Sequence, residues 1–235
     1  MPALANPRRL IVATRNPGKL REFQELLVGL PFDVHSLAEL GVPSPAETGT
    51  SFLENALLKA RHAAAVGGCA ALADDSGLEV DALGGAPGIH SARYAGDAAD
   101  ATGNTGDTAN PSDPAKTPDT ANTSDTANNL KLIAALAKIP ANQRSARYRC
   151  VLVFLDHAED PEPVIAEGRW EGRILETPRG HGGFGYDPYF WIPEREMTAA
   201  ELTLEQKNRL SHRGAAMHTL RKCLAVRFGL AAPGH

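Results

Sequence analysis

Short β-type runs in this chain hand over repeatedly to a polar turn and then to an amphipathic helix, and that order leaves few folds open. Leu10 to Ala13 is the first run; after Thr14 to Gly18, the stretch Lys19–Leu27 places Leu20, Phe23, Leu26 and Leu27 on one helical stripe. Ser51-Phe52-Leu53-Glu54 has the pattern of a capping box and opens a helix with Phe52, Ala56, Leu57, Ala60 and Ala64 on one side. Ala70–Ala73 is strand-like and ends in Asp74-Asp75-Ser76-Gly77. Leu130–Leu136 reads as helix, while Tyr148–Leu155 and Val164–Leu175 read as paired strands around the Pro161/Pro163 turn. A last helix is expected from near Ser211 to about Phe228, with Met217, Leu220, Leu224 and Phe228 on one face. Interleaved strands and helices make the class α/β.

One stretch breaks this pattern. From Asp97 to Asn129 there is no Val, Ile, Leu, Met, Phe, Trp, Tyr or Cys, and Asp-Thr-Ala-Asn recurs at Asp107, Asp119 and Asp125. Such a segment buries too little apolar surface to offset its ordering entropy, so residues 97–129 are expected to form a polar surface insertion. Its carboxylates do not follow EF-hand spacing. Deleting Ala101 to Thr126 is expected to leave activity within a few-fold.

Composition narrows the functional classes. A chain of 235 residues can bury a sizeable core without disulfides or a structural metal. No apolar run is long enough to cross a bilayer, and Met1–Arg9 lacks the apolar stretch of a signal peptide. A net charge of −4 gives no footprint for duplex nucleic acid or an anionic membrane, so a polyanionic ligand must meet a local cationic cluster. The three scattered cysteines contain no C-x-x-C pair and suit a reducing, cytoplasmic setting.

Four segments carry chemistry. Thr14-Arg15-Asn16-Pro17-Gly18-Lys19 lies between a strand and a helix, where unpaired backbone N–H groups and the positive dipole end favour phosphate. It is not a Walker A loop, because Ala13 and Leu20 stand at two of the fixed positions. Asp74-Asp75-Ser76-Gly77 ends a strand; neighbouring side chains there alternate faces, so at most one carboxylate enters a given cleft. A carboxylate so placed can hold Mg²⁺ and orient a water, with Glu47 as a second ligand. Gly180 to Pro188 is glycine-rich around Phe184, Gly185, Tyr186 and Asp187, which suits close approach to a flat ring. Lys207 with Ser211-His212-Arg213 offers donors for ring carbonyl oxygens. Each segment alone also has a plain structural reading: a strand–helix turn, an Asx-turn, a hairpin with a packed Phe, a solvated helix face.

Together these segments resemble the inosine/xanthosine triphosphate pyrophosphatase family. Thr14, Asn16 and Lys19 meet its opening motif, and Asp74 to Asp81 with Pro87 to Tyr94 match its central block. Phe184-Gly185-Tyr186-Asp187-Pro188 and Ser211-His212-Arg213 fit its later motifs, so the likeness spans Leu10 to about Leu224. The chief departure is the long insertion. The resemblance implies a single domain over residues 1–235, built on an elongated mixed sheet with flanking helices in two lobes and a nucleotide cleft between them. It implies Mg²⁺-dependent hydrolysis of ITP, dITP and XTP at the α–β phosphoanhydride, giving nucleoside monophosphate and pyrophosphate, by a cytoplasmic homodimer. Carried over residue by residue, Thr14, Arg15, Asn16, Pro17, Gly18 and Lys19 would hold the triphosphate. Asp75 would be general base and metal ligand, with Glu47 as second ligand. Ser76, Phe184, Gly185, Tyr186, Asp187, Lys207, His212 and Arg213 would contact substrate, the later ones at the base. Two other readings stand beside it: a catalytically silent purine-nucleotide-binding module, and a kinase-type phosphotransferase, which lacks the Ser/Thr it needs at Leu20.

Overall fold

The computed structural model describes residues 7–96 and 118–229, of which residues 118–124 are described by their backbone. Seven strands are hydrogen-bonded in the order β2-β1-β3-β4-β5-β6-β7. They are β1 (Arg8–Val12), β2 (Phe32–Ser36), β3 (Ala70–Val80), β4 (Ser145–Leu155), β5 (Val164–Ile174), β6 (Phe190–Ile192) and β7 (Met197–Thr198). β1 runs parallel to β2 and β3, whereas β6 is antiparallel to β5 and β7, so the sheet is mixed as expected. The helices are α1 (Pro17–Leu26), α2 (Phe52–Gly67), α3 (Pro118–Ala135), α4 (Leu204–Leu210) and α5 (His212–Phe228). None of them is long and apolar enough to cross a membrane.

The chain divides into two compact units. The first comprises residues 1–76, 148–170 and 203–235. Its core on one sheet face is Leu10, Val12, Ala70, Leu72, Cys150, Leu152 and Phe154 from the strands, packed on Phe23 of α1, Leu27 at its C-cap, and Met217, Leu220 and Leu224 of α5. Of the stripes expected on these helices, Phe23, Leu27, Met217, Leu220 and Leu224 are buried, and Leu20, Leu26 and Phe228 are half-buried. Ile11 points the other way, and a Cβ on Gly67 of α2 would lie 2.6 Å from it. α2 buries Phe52, Ala56, Ala60 and Ala64, and also Asn55, Lys59 and Ala63. Ser51 caps it by accepting from the Glu54 amide (3.2 Å), and Gly68, at φ 60°, closes it in the left-handed conformation that glycine tolerates.

The second unit comprises residues 77–147 and 171–202. Here the structure departs from the sequence reading. α3 begins at Pro118, so residues 118–129, expected to lie in the surface insertion, are helical; residues 97–117 lie outside the described residues. Amides supply the anchoring that apolar side chains do not. Asn128 is buried, accepts from the Ala95 amide at 2.7 Å and donates to the Ala92 carbonyl at 3.1 Å. Arg144 secures the far end of α3 by donating to the carbonyls of Leu136 (3.0 Å) and Ile139 (2.8 Å).

Candidate active site

Within residues 70–76 of β3, Ala70, Leu72, Asp74 and Ser76 share the face packed on α1 and α5, and Asp75 meets α2, because side chains alternate with period two. Asp74 and Asp75 are both buried, yet they serve opposite faces. The doublet makes two sites, back to back on one strand.

On the Asp74 side, Lys19 of α1 donates to Oδ1 through Nζ. Arg213 Nε and Nη2 each lie 3.2 Å from Oδ2, and Arg213 Nη2 also donates to Ser76 Oγ at 3.0 Å. The Cys150 thiol completes the set at 3.2 Å from Oδ2. Burial alone would raise the Asp74 carboxyl, but Arg213, then Lys19 and Lys59, hold it far below the usual carboxylate range. The same surroundings raise the Cys150 thiol, through burial first and then the Asp74 charge. Arg213 Nη1 reaches Glu22 of α1, whose other oxygen takes Lys207 Nζ at 2.9 Å. The Glu22 carboxyl is lowered because these two cations outweigh its burial.

The turn leading to Lys19 is built as a helix start. Asn16 caps α1 by accepting from the Lys19 amide at 3.0 Å, Pro17 occupies the first turn, and Thr14 Oγ1 accepts from the Asn16 amide at 3.2 Å. Arg15 and Asn16 are exposed and Thr14 is buried.

On the Asp75 side the partners come from α2 and the segment before it. Lys59 Nζ lies 2.7 Å from Asp75 Oδ1 and 3.0 Å from Glu47 Oε1, so the two expected metal carboxylates converge on one cation. Asn55 Nδ2 donates to Asp75 Oδ2 at 3.3 Å, and its Oδ1 accepts from the Gly49 amide at 2.8 Å. Burial raises the Asp75 carboxyl above its ordinary value, and the Lys59 charge offsets only part of that. Lys59 is raised, since Asp75 and then Glu47 outweigh its own burial. Among the described residues no group of three or more His, Cys, Asp or Glu gathers as a metal cage. Two hard carboxylates are nonetheless what Mg²⁺ takes from a protein when substrate phosphates and water complete its shell.

His212 starts α5 beneath an aromatic slab. Its ring stacks on Tyr148 with centroids 4.7 Å apart and planes 12° from parallel, and Trp170 lies 6.5 Å away at 19°. Burial, followed by the charges of Arg213 and Lys207, depresses this imidazole well below the usual histidine range. Its Nδ1 is buried with no hydrogen-bond partner among the described residues. Phe184, Gly185, Tyr186 and Asp187 belong to the second unit, where Asp187 Oδ2 accepts from the Phe184 amide at 2.9 Å and Tyr186 Oη donates to the Ser91 carbonyl at 2.8 Å.

The first unit thus brings Lys19, Ser76 and Arg213 around Asp74, Lys207 onto Glu22 beside Arg213, and Glu47 next to Asp75 through Lys59. Sequence reasoning missed Lys59, Asn55, Glu22 and Cys150. One signal was available: Lys59 interrupts the alanine stripe of α2 one turn after Asn55, and a lysine on a buried face needs a carboxylate partner.

Comparison with known proteins decides what such a constellation belongs to. A sequence model of the Ham1 family matches residues 10–223. The chain belongs to the Ham1 family. Among Ham1 relatives, the dITP/XTP pyrophosphatase of Thioalkalivibrio sulfidiphilus is 51% identical over 90% of this chain and 96% of its own. That of Vibrio cholerae is 48% identical over 92% and 96%. Of solved Ham1 structures, a HAM1 protein from Coxiella burnetii superposes with a TM-score of 0.75 at 41% identity, covering 93% of this chain and 99% of that one. The Ham1 protein of Staphylococcus aureus gives 0.73 at 34% identity, over 94% and 100%.

Proposed function

We propose that this Ham1 family member hydrolyses deaminated purine nucleoside triphosphates (ITP, dITP and XTP) at the α–β phosphoanhydride, releasing nucleoside monophosphate and pyrophosphate. The observation that carries the reading is the Asp74–Asp75 doublet, with a cation-stabilised carboxylate on one face of β3 and a raised carboxyl paired to Glu47 through Lys59 on the other. Curated relatives at about half identity named for this reaction support it.

In this reading Asp75 takes the proton of the attacking water. A carboxyl raised by burial is a stronger base than an ordinary one. Asn55 and Lys59 hold its two oxygens in one orientation. Lys19, together with the turn from Thr14 through Arg15, Asn16, Pro17 and Gly18, holds the triphosphate at the start of α1. Mg²⁺, held by Asp75 and Glu47, would supply charge neutralisation when bound. Ser76, Phe184, Gly185, Tyr186 and Asp187 contact the substrate. At the base, His212, Lys207 and Arg213 meet the 6-oxo acceptor that inosine and xanthosine carry where adenine carries a donor. A donor left unpaired against adenine costs several kcal/mol in a dry site, of order 10³-fold or more in specificity. The protein acts as a cytoplasmic homodimer.

A panel of common and deaminated nucleoside triphosphates, assayed with Mg²⁺ and with chelator, tests the proposal. Pyrophosphate release from dITP, ITP and XTP far above that from dATP is expected. Binding of dITP without any turnover would favour the silent nucleotide-binding module, and label passing from the γ-phosphate to an acceptor would favour a phosphotransferase.

A further inference from the structure

In the Gly180–Pro188 segment Tyr186 and Asp187 are buried and hydrogen-bonded, whereas the stretch before them is mostly glycine. Gly180, Gly183 and Gly185 sit at φ values of 77°, 74° and 62°, and glycine offers no side chain to pack. Gly180 to Gly185, Pro178, Tyr189 and residues of α3 line a cavity of about 500 Å³. Gly182 is held by donating to the Ala200 carbonyl at 3.0 Å, and two further hydrogen bonds grip Gly185 from α3. Asp125 Oδ2 accepts from the Gly185 amide at 2.7 Å, and Asn129 Nδ2 donates to the Gly185 carbonyl at 2.9 Å. Residues four apart share a helix face, which is why one turn of α3 can reach both polar groups of Gly185. Asn129 is buried and its Oδ1 has no partner among the described residues, so the Gly185 carbonyl is the contact that fixes this amide. Asp125 opens the last Asp-Thr-Ala-Asn copy of the polar tract and Asn129 directly follows it, where composition alone gives no reason for a buried contact.

We propose that Asp125 and Asn129 are positioning residues that hold the Phe184–Asp187 segment in its substrate-recognising conformation, and so set substrate affinity and base discrimination more than the rate of bond cleavage. The inference rests on the proposed function, because it takes that segment as a substrate contact. Part of the polar tract is thereby recruited as the backing of a recognition loop.

The test is steady-state kinetics on the full chain with dITP and dGTP, alongside thermal unfolding. Asp125→Ala and Asn129→Ala should each raise KM for dITP roughly 5- to 10-fold, the loss of one backbone hydrogen bond, with kcat within about twofold. The preference for dITP over dGTP should narrow. Asp125→Asn keeps an acceptor oxygen and should restore KM to near the wild-type value. Asn128→Ala removes the neighbouring amide, which serves Ala92 and Ala95 and not the loop; it should lower Tm and leave KM alone. Should Asp125→Ala fail to fold, Asn129→Asp, which cannot donate to the Gly185 carbonyl, must reproduce the KM rise. Unchanged KM in the alanine variants, an equal rise in Asn128→Ala, or no rescue by Asp125→Asn would overturn the inference. A wild-type protein that releases no pyrophosphate from dITP would instead overturn the functional reading beneath it.

Discussion

At the scale of single residues, the adjacent aspartates have opposite electrostatics, and each sets its own prediction. Asp75 is the raised one. Asp75→Asn should cut turnover at least about 10³-fold, the range for loss of a general base, and leave the protein folded. Because the base works only when deprotonated, the acid limb of the kcat–pH profile should lie above the ordinary carboxylate value of 3.8. Lys59 is what lowers Asp75, so Lys59→Met should move that limb to higher pH. Asp74 is the depressed one. Its folded-state affinity for a proton is weaker than in the unfolded chain, so its contribution to stability is present above about pH 3.8 and is lost on acidification below it. Asp74→Asn removes the charge that Lys19 pairs with and leaves Arg213 with Glu22 and Ser76 alone, and should cost about 3 kcal/mol at neutral pH in a denaturant titration. The variant should also show a shallower loss of stability in acid.

At the scale of elements, much of the architecture was legible, since strand β1, helices α1, α2 and α5 and the β4–β5 pair follow from periodicity and caps. What escaped reading is set by contacts distant in sequence. β2 is only half-buried and shows weak alternation, and β6 and β7 are too short to carry a pattern. Around Asn128, α3 is tied down by amide–backbone hydrogen bonds, and no large apolar residue precedes Leu130 within it, so no hydrophobic period announces this part of the helix. The expected tolerance of an Ala101–Thr126 deletion changes accordingly. That cut removes Asp125 and its bond to Gly185, so it should raise KM for dITP, as measured by the same kinetics. Two glycines also have duties no pattern revealed. A Cβ on Gly168 would come within 2.0 Å of the His212 carbonyl, and one on Gly214 within 1.9 Å of the Asn208 carbonyl. Gly168→Ala should therefore shift the start of α5 and destabilise the fold by about 1–3 kcal/mol in chemical denaturation, with His212 and Arg213 displaced.

At the scale of the molecule, the motifs identified the family and the residue types of the site, while pairing across the fold decided their partners. Lys19 was legible beside a strand–helix turn, but its attachment to Asp74 and not Asp75 follows from which face of β3 meets α1. Glu22 and Cys150 looked like ordinary helix and strand residues and acquire meaning only beside Arg213 and Asp74. The account as a whole predicts a hydrolase that cleaves one particular bond of one class of nucleotide. Phosphorus NMR of dITP incubated with Mg²⁺ and the wild-type protein, with Asp75→Asn as its pair, tests that most directly. The expected spectrum shows dIMP and pyrophosphate from the wild type and unreacted dITP from the variant. Orthophosphate with dIDP as the first products, or equal turnover by the variant, would contradict the account.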